Sequence, residues 1–187
     1  MSGFSRVDEM NILERIQQIL PPSGPDIKLL HGDLTPEQLN KLYNHKKVKV
    51  MISFTKGEGF GRPLMEFGAT GKPIIATNWS GHVDFLKHAT LLPGKIMPVH
   101  KSALWKDLIV EGSNWFYVDY VAAKNYMKVI HKDYKVFCEE SRKQPNYIKN
   151  NFSLEKADEV YADVLDKYIP EIPEPVQLKL PKLEKIS

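Results

Sequence analysis

Residues 53–73 read SFTKGEGFGRPLMEFGATGKP. An apolar, β-branched run precedes them at Val48–Ser53 and a helix-starting proline, Pro63, follows the glycines. The order is strand, glycine loop, helix. In open parallel sheets, ligands bind at the carboxyl ends of strands, where such loops lie. Glycines at 57, 59 and 61 remove side chains and let backbone N–H groups approach a ligand closely. The helix that Pro63 opens adds free N–H groups and the positive end of its dipole, so the loop suits a phosphate. Two carboxylates flank it, Glu58 and Glu66, with seven residues between them. A carboxylate beside a phosphate repels it, so both are better explained as acceptors for sugar or ribose hydroxyls. One ligand with a sugar on each side of a phosphate uses both.

Outward from this loop the chain alternates helices and strands. Val7, Met10, Leu13, Ile16 and Leu20 recur at helical spacing, and Pro21 and Pro22 stop that helix. Residues 27–30 form a short apolar run suited to a buried strand. Thr35, Pro36 and Gln38 predict a helix start with a capping box, and Leu39, Leu42 and Tyr43 give that helix an apolar face. After the loop, the helix of residues 63–70 stops at Gly71, residues 73–76 predict a third strand, and 78–81 a turn. A short helix is predicted at 82–86 and a less regular region with a possible strand at 91–99. Residues 119–133, 133–149 and 153–168 read as helices, the last capped by Ser153. The pattern predicts an α/β fold: a Rossmann-like parallel sheet with helices on both faces. Residues 1–169 form the domain. From Pro170 to Ser187 repeated prolines predict an extended tail, with Val176, Leu178, Leu180 and Leu183 suited to packing on a partner.

Composition narrows the classes. The 187 residues are 42% hydrophobic and 26% charged, an ordinary globular balance. A net charge of +3, with lysines spread along the chain, gives no case for nucleic acid. Cys138 is the single cysteine, so no internal disulfide and no cysteine-based zinc site are expected, in keeping with a reducing compartment. No apolar run approaches the ~20 residues of a membrane helix. The polar start, MSGFSRVDEM, does not resemble a secretory signal. The expectation is a cytoplasmic protein without a membrane span.

The stretch SFTKGEGFGRPLMEFGATGKPIIATNWSG resembles the signature of retaining GT-B glycosyltransferases, the sucrose-synthase-like group 1 family. GDLTPEQLNKLYNH before it, GHVDF after it and WFYVDYVAAKNYM beyond extend the likeness over residues 5–168. The resemblance implies one half of a GT-B fold, the donor-binding half, and transfer of a hexose from a nucleoside diphosphate to a hydroxyl with retention. It implies that Glu58 touches the transferred sugar at the catalytic centre. Lys56, Gly59, Phe60, Gly61 and Arg62 would surround the sugar and distal phosphate. Glu66 would hold the ribose, with Leu34 near the base and Leu64 and Met65 contributing backbone contacts. Neither a cofactor nor a metal is implied; the nucleotide-sugar is the donor substrate. Arg62 stands where the family commonly has an apolar residue, and Phe67-Gly68 where it has Ala-Met. The family's diphosphate-gripping Arg and Lys lie on the first strand or strands of this half, which are expected to be lacking here, as is the acceptor-binding first domain. A separate N-terminal glycosyltransferase domain is therefore the expected partner, and self-association through the exposed inter-domain face is a further possibility.

Plainer readings stand beside these. Glu66 near a helix start is favoured by the dipole alone, and Lys56 and Arg62 suit solvated charges as well as phosphate ligands. Gly71-Lys72-Pro73 reads as a helix stop. His82 and Asp84 suit a helix start better than a metal pair. His31 and Asp33 read as loop residues. Trp79, Trp105 and Trp115 read as core or rim packing, and Cys138 as a buried helical residue. The competing function is a non-catalytic nucleotide or nucleotide-sugar module, or a remnant that persists by its core alone.

Overall fold

The computed structural model describes residues 5–170. In order these form α1 (Arg6–Ile19), α2 (Pro36–Asn44), β1 (Met51–Ser53), α3 (Arg62–Gly68), β2 (Ile74–Thr77), a 3-10 turn (Gly81–Asp84), β3 (Thr90–Leu92) and β4 (Gly94–Pro98). A second 3-10 turn (Lys101–Ala103), β5 (Asn114–Val118), α4 (Tyr120–Lys132), α5 (Tyr134–Ser141), α6 (Gln144–Asn151) and α7 (Leu154–Tyr168) follow. The tail expected at 171–187 lies outside the described residues.

Strands β1, β2 and β3 lie side by side and parallel, with Met51 opposite Ile74 and Ile75 opposite Thr90. Strand β2 is buried along its whole length, as a central parallel strand must be. Its side chains alternate between two cores, because successive residues point to opposite faces. Ile74 and Ala76 join Leu64, Phe67, Phe85 and Leu86 on one face, with Tyr43 and Phe152 packed against them. Ile75 joins Leu92, Val118, Ala123 and Ile130 on the other, with Tyr134 and Phe137 beside them. Helices α2 and α3 thus cover one face and α4 and α5 the other. The expected α/β sheet is observed.

Local signals held where they needed no distant partner. Thr35 closes the expected capping box with Gln38, and Ser5 closes a further, unexpected one with Asp8. Ser153 caps α7 by accepting the Lys156 N–H, and Gly71 takes a positive φ of 72° after α3. Lys72 does more than follow a helix stop: its ammonium donates to the carbonyls of Tyr43 at 2.6 Å and His45 at 3.0 Å. It thereby satisfies carbonyls that the end of α2 leaves open and ties α2 to the turn before β2.

Several expected elements differ. Residues 27–30 form no strand: Ile27 and Leu30 are exposed, and Lys28 pairs with Asp26 in solvent at 3.0 Å, so the run has a charged face that a buried strand cannot carry. Residues 48–50 lie outside the ladder, which begins only at Met51, whose N–H donates to the Pro73 carbonyl. Pro73 has no N–H to return, which closes the ladder there. Helix α3 begins at Arg62, one residue before Pro63, so Glu66 falls in its second turn. Residues 133–149 hold two helices, α5 and α6, broken at Arg142 and Lys143. The less regular region at 91–99 does carry a strand, β4, which pairs antiparallel to β5. Helix α1 keeps its apolar stripe but buries none of it; Val7 and Met10 are exposed.

Candidate functional site

The glycine loop leaves the carboxyl end of β1 and is clasped to the turn leaving the carboxyl end of β2. The Glu58 N–H donates to the Ser80 hydroxyl oxygen at 2.8 Å, and the Gly81 N–H donates to the Glu58 carbonyl at 3.0 Å. Ser80 adopts a φ of 81°, an unusual conformation for a residue with a Cβ, consistent with a locally constrained turn. Gly81 is required by close approach: a Cβ there would stand 1.9 Å from the Gly59 carbonyl oxygen. Gly61 is required by conformation, with a φ of 89° as the N-cap of α3. At Gly57 and Gly59 a Cβ would meet nothing within 4 Å, so this part of the loop is open.

Glu58 is half-buried and its backbone is fixed on both sides by the clasp. The Phe60 ring lies 5.2 Å from that of Phe85, and Phe60 borders a cavity of about 500 Å³ along α7 with Phe152, Val160 and Val164. Leu64 is buried in the core, and its N–H, like that of Met65, is held by the Gly61 carbonyl. Both N–H groups are thus engaged within the first turn of α3.

Lys56 lies on the opposite side of the loop. Its ammonium sits 4.1 Å from the centre of the Trp115 ring and 5.2 Å from that of Tyr117. The Lys56 carbonyl accepts the Phe116 N–H, which ties the loop to β5. Trp79 stacks on Phe116 with planes 4° apart. Trp79 and Trp115 are rim residues, as expected. Trp105 is largely exposed, and Cys138 is half-buried, not buried.

A second cavity, of about 400 Å³, opens between α2 and α3, lined by Leu34, Pro36, Leu39, Asn40, Tyr43, Arg62, Glu66 and Ala69. It gathers Leu34, Arg62 and Glu66, three residues singled out from sequence. Arg62 Nε donates to Glu66 Oε1 at 2.7 Å. The Arg62 side chain is 81% exposed and Glu66 33%, so the pair contributes at most about 0.5 kcal/mol and yields readily to a ligand. Burial, and then the Glu66 carboxylate, push the Tyr43 hydroxyl above its ordinary pKa. Tyr43 was legible only as an apolar face; Asn40, Ser80 and Gly81 carried no signal as site residues. The i,i+4 spacing of Arg62 and Glu66 was a legible pairing signal.

His82 is fully buried beneath the loop. Its Nε2 lies 2.6 Å from the Thr77 carbonyl, which can only accept, so Nε2 carries the proton. Its Nδ1 is buried without a partner among the described residues. Among the described residues, no three His, Cys, Asp or Glu side chains gather to hold a metal ion. No helix among them is long and apolar enough to cross a membrane.

The fold and site define an α/β protein with a Rossmann-like parallel core and an open glycine loop at the carboxyl edge of its sheet. Residues 26–111 match the model of the family described as glycosyl transferases group 1. The matched segment runs from before α2 to the approach to β5, so it contains the loop, both glutamates and the clasp. It supports a role in glycosyl transfer in general. Neither the curated proteins nor the solved structures yield a match to the chain.

Proposed function

We propose that this chain holds a nucleoside-diphosphate sugar as the donor half of a retaining GT-B glycosyltransferase of the sucrose-synthase-like type. The observation that carries the reading is the cavity that joins Glu66 to Leu34 along a helix whose start meets an open glycine loop bearing Glu58. In this reading the ribose hydroxyls displace Arg62 from Glu66. The freed guanidinium turns to the phosphates, and the base lies against α2. The diphosphate meets the loop at Gly57, Gly59 and Gly61, and Glu58 accepts hydroxyls of the transferred hexose.

The chemical task is to stabilise charge on the leaving diphosphate while the sugar–phosphate bond breaks and the acceptor oxygen bonds to the same face. Backbone N–H groups aimed at the phosphate supply part of that stabilisation. The leaving phosphate takes the acceptor proton, so this chain needs no general base, and the reading invokes no metal. A second domain, of another chain or of further sequence, holds the acceptor across a cleft and adds cations.

One observation favours a second reading. Lys56 is held over Trp115 and Arg62 is paired with Glu66, so both cations nearest the loop are engaged. A site so arranged would bind nucleotide-sugars without transferring them.

Titration calorimetry with UDP- and GDP-sugars tests both readings. Binding is expected; no binding of any nucleotide to the folded chain would count against both. A transfer assay with a labelled donor then separates them: turnover in the presence of a supplied N-terminal domain supports the first reading and its absence the second.

A further inference from the structure

The same cavity contains a side chain whose donor direction is set by its neighbour. Asn44 Nδ2 lies 3.0 Å from the backbone carbonyl of Asn40 and 2.7 Å from the Asn40 side-chain amide. A carbonyl oxygen only accepts, so the Asn44 atom beside it must be the NH2 end. That NH2 in turn requires an acceptor in the Asn40 side chain, which must present Oδ1 to it. Two hydrogen bonds thus orient both amides. Asn40 lines the cavity and keeps its own NH2, with two donor hydrogens not used by Asn44.

From this we infer that Asn40 selects an oxo base, uracil or guanine, over its amino counterpart. The inference rests on the donor-binding reading. With the ribose at Glu66 on α3, the base extends toward α2, where Leu34, Pro36 and Leu39 offer apolar surface to its faces. Its edge farthest from the ribose then meets Asn40. Uracil O4 and guanine O6 are acceptors at that edge, whereas cytosine and adenine carry amino groups in the same places. The Asn40 NH2 bonds to the first pair and opposes the second, donor against donor.

Calorimetry on the full chain with UDP, CDP, GDP and ADP tests it. UDP should bind about tenfold more tightly than CDP, and GDP than ADP, the size of one hydrogen bond gained against one donor left unpaired. Asn40→Leu should bring each pair within about twofold. Asn40→Asp presents only acceptors and should reverse both ratios, although its charge weakens every nucleotide. Asn40 is exposed on α2, so circular dichroism of both variants should match the parent. Equal binding within each pair by the parent chain, or a preference that survives both substitutions, would overturn the assignment while leaving the donor reading intact. Failure of all four nucleotides to bind would overturn the donor reading itself, and this inference with it.

Discussion

The backbone N–H of Glu58 donates to the hydroxyl of Ser80 at 2.8 Å, joining residues 22 positions apart. Through this bond the glycine loop after β1 and the turn after β2 become one unit. Ser80 holds a left-handed φ to reach the loop, and Gly81 gives up any side chain to let Gly59 approach. The loop's conformation is therefore set by the second turn as much as by its own glycines.

Gly81→Ala should break that unit. Its Cβ would overlap the Gly59 carbonyl, which is backbone and cannot rotate away, so the loop must shift. Destabilisation of about 1–3 kcal/mol is expected from such overpacking. Urea unfolding measures it, and calorimetry should show nucleotide-sugar affinity falling further than stability alone explains.

The two glutamates should separate by ligand. Glu66→Ala should weaken binding of a bare nucleoside diphosphate, roughly tenfold for a charge-assisted hydrogen-bond site. Glu58→Ala should leave that ligand unaffected and weaken only the nucleotide-sugar. Equal losses for both variants on the bare diphosphate would refute the assigned roles.

Gln144 is 1% exposed and bridges two backbone groups far away in sequence: its Nε2 donates to the Phe85 carbonyl and its Oε1 accepts the His88 N–H at 2.8 Å. Gln144→Ala strands both. A loss of roughly 3 kcal/mol is expected for two unsatisfied backbone groups, read as a lowered urea midpoint with unchanged slope.

The Glu140 carboxyl is held below its ordinary pKa of 4.5, first by the hydrogen bond from Lys143 at 2.6 Å and then by that from His88. A carboxyl whose folded pKa is depressed stabilises the fold above its unfolded pKa, and that contribution is lost as pH falls through the folded value. Glu140→Gln should therefore lower the melting temperature at neutral pH. The gap to the parent should narrow steadily below about pH 4.5. A gap independent of pH in this range would show that the carboxylate contributes nothing through its charge.

Elements whose signals lie within one helical turn were legible from sequence. The capping box at Thr35, the Ser153 cap and the Gly71 stop each involve partners a few residues apart, and local geometry alone satisfies them. The parallel sheet was legible for a different reason: strands alternate with helices through short links along residues 36–77, the pattern of parallel βαβ units. Residues 27–30 misled because a short apolar run says nothing about whether a sheet edge is there to receive it. The β4–β5 pairing was invisible for the same reason, since it joins Gly94 to Val118 across an irregular excursion.

At the candidate site the division follows the same line. Sequence by itself determined which groups are present: a glycine loop, two carboxylates flanking it, and a resemblance that suggests a chemistry for them. Tertiary structure decided where they face. It brought Leu34 and Asn40 to the cavity of Glu66, drew Lys56 onto the Trp115 ring and pinned Glu58 to Ser80. Those relations depend on how helices and turns distant in the chain pack across the sheet. That packing is set by the burial of both faces of β2, and no window of neighbouring residues contains it.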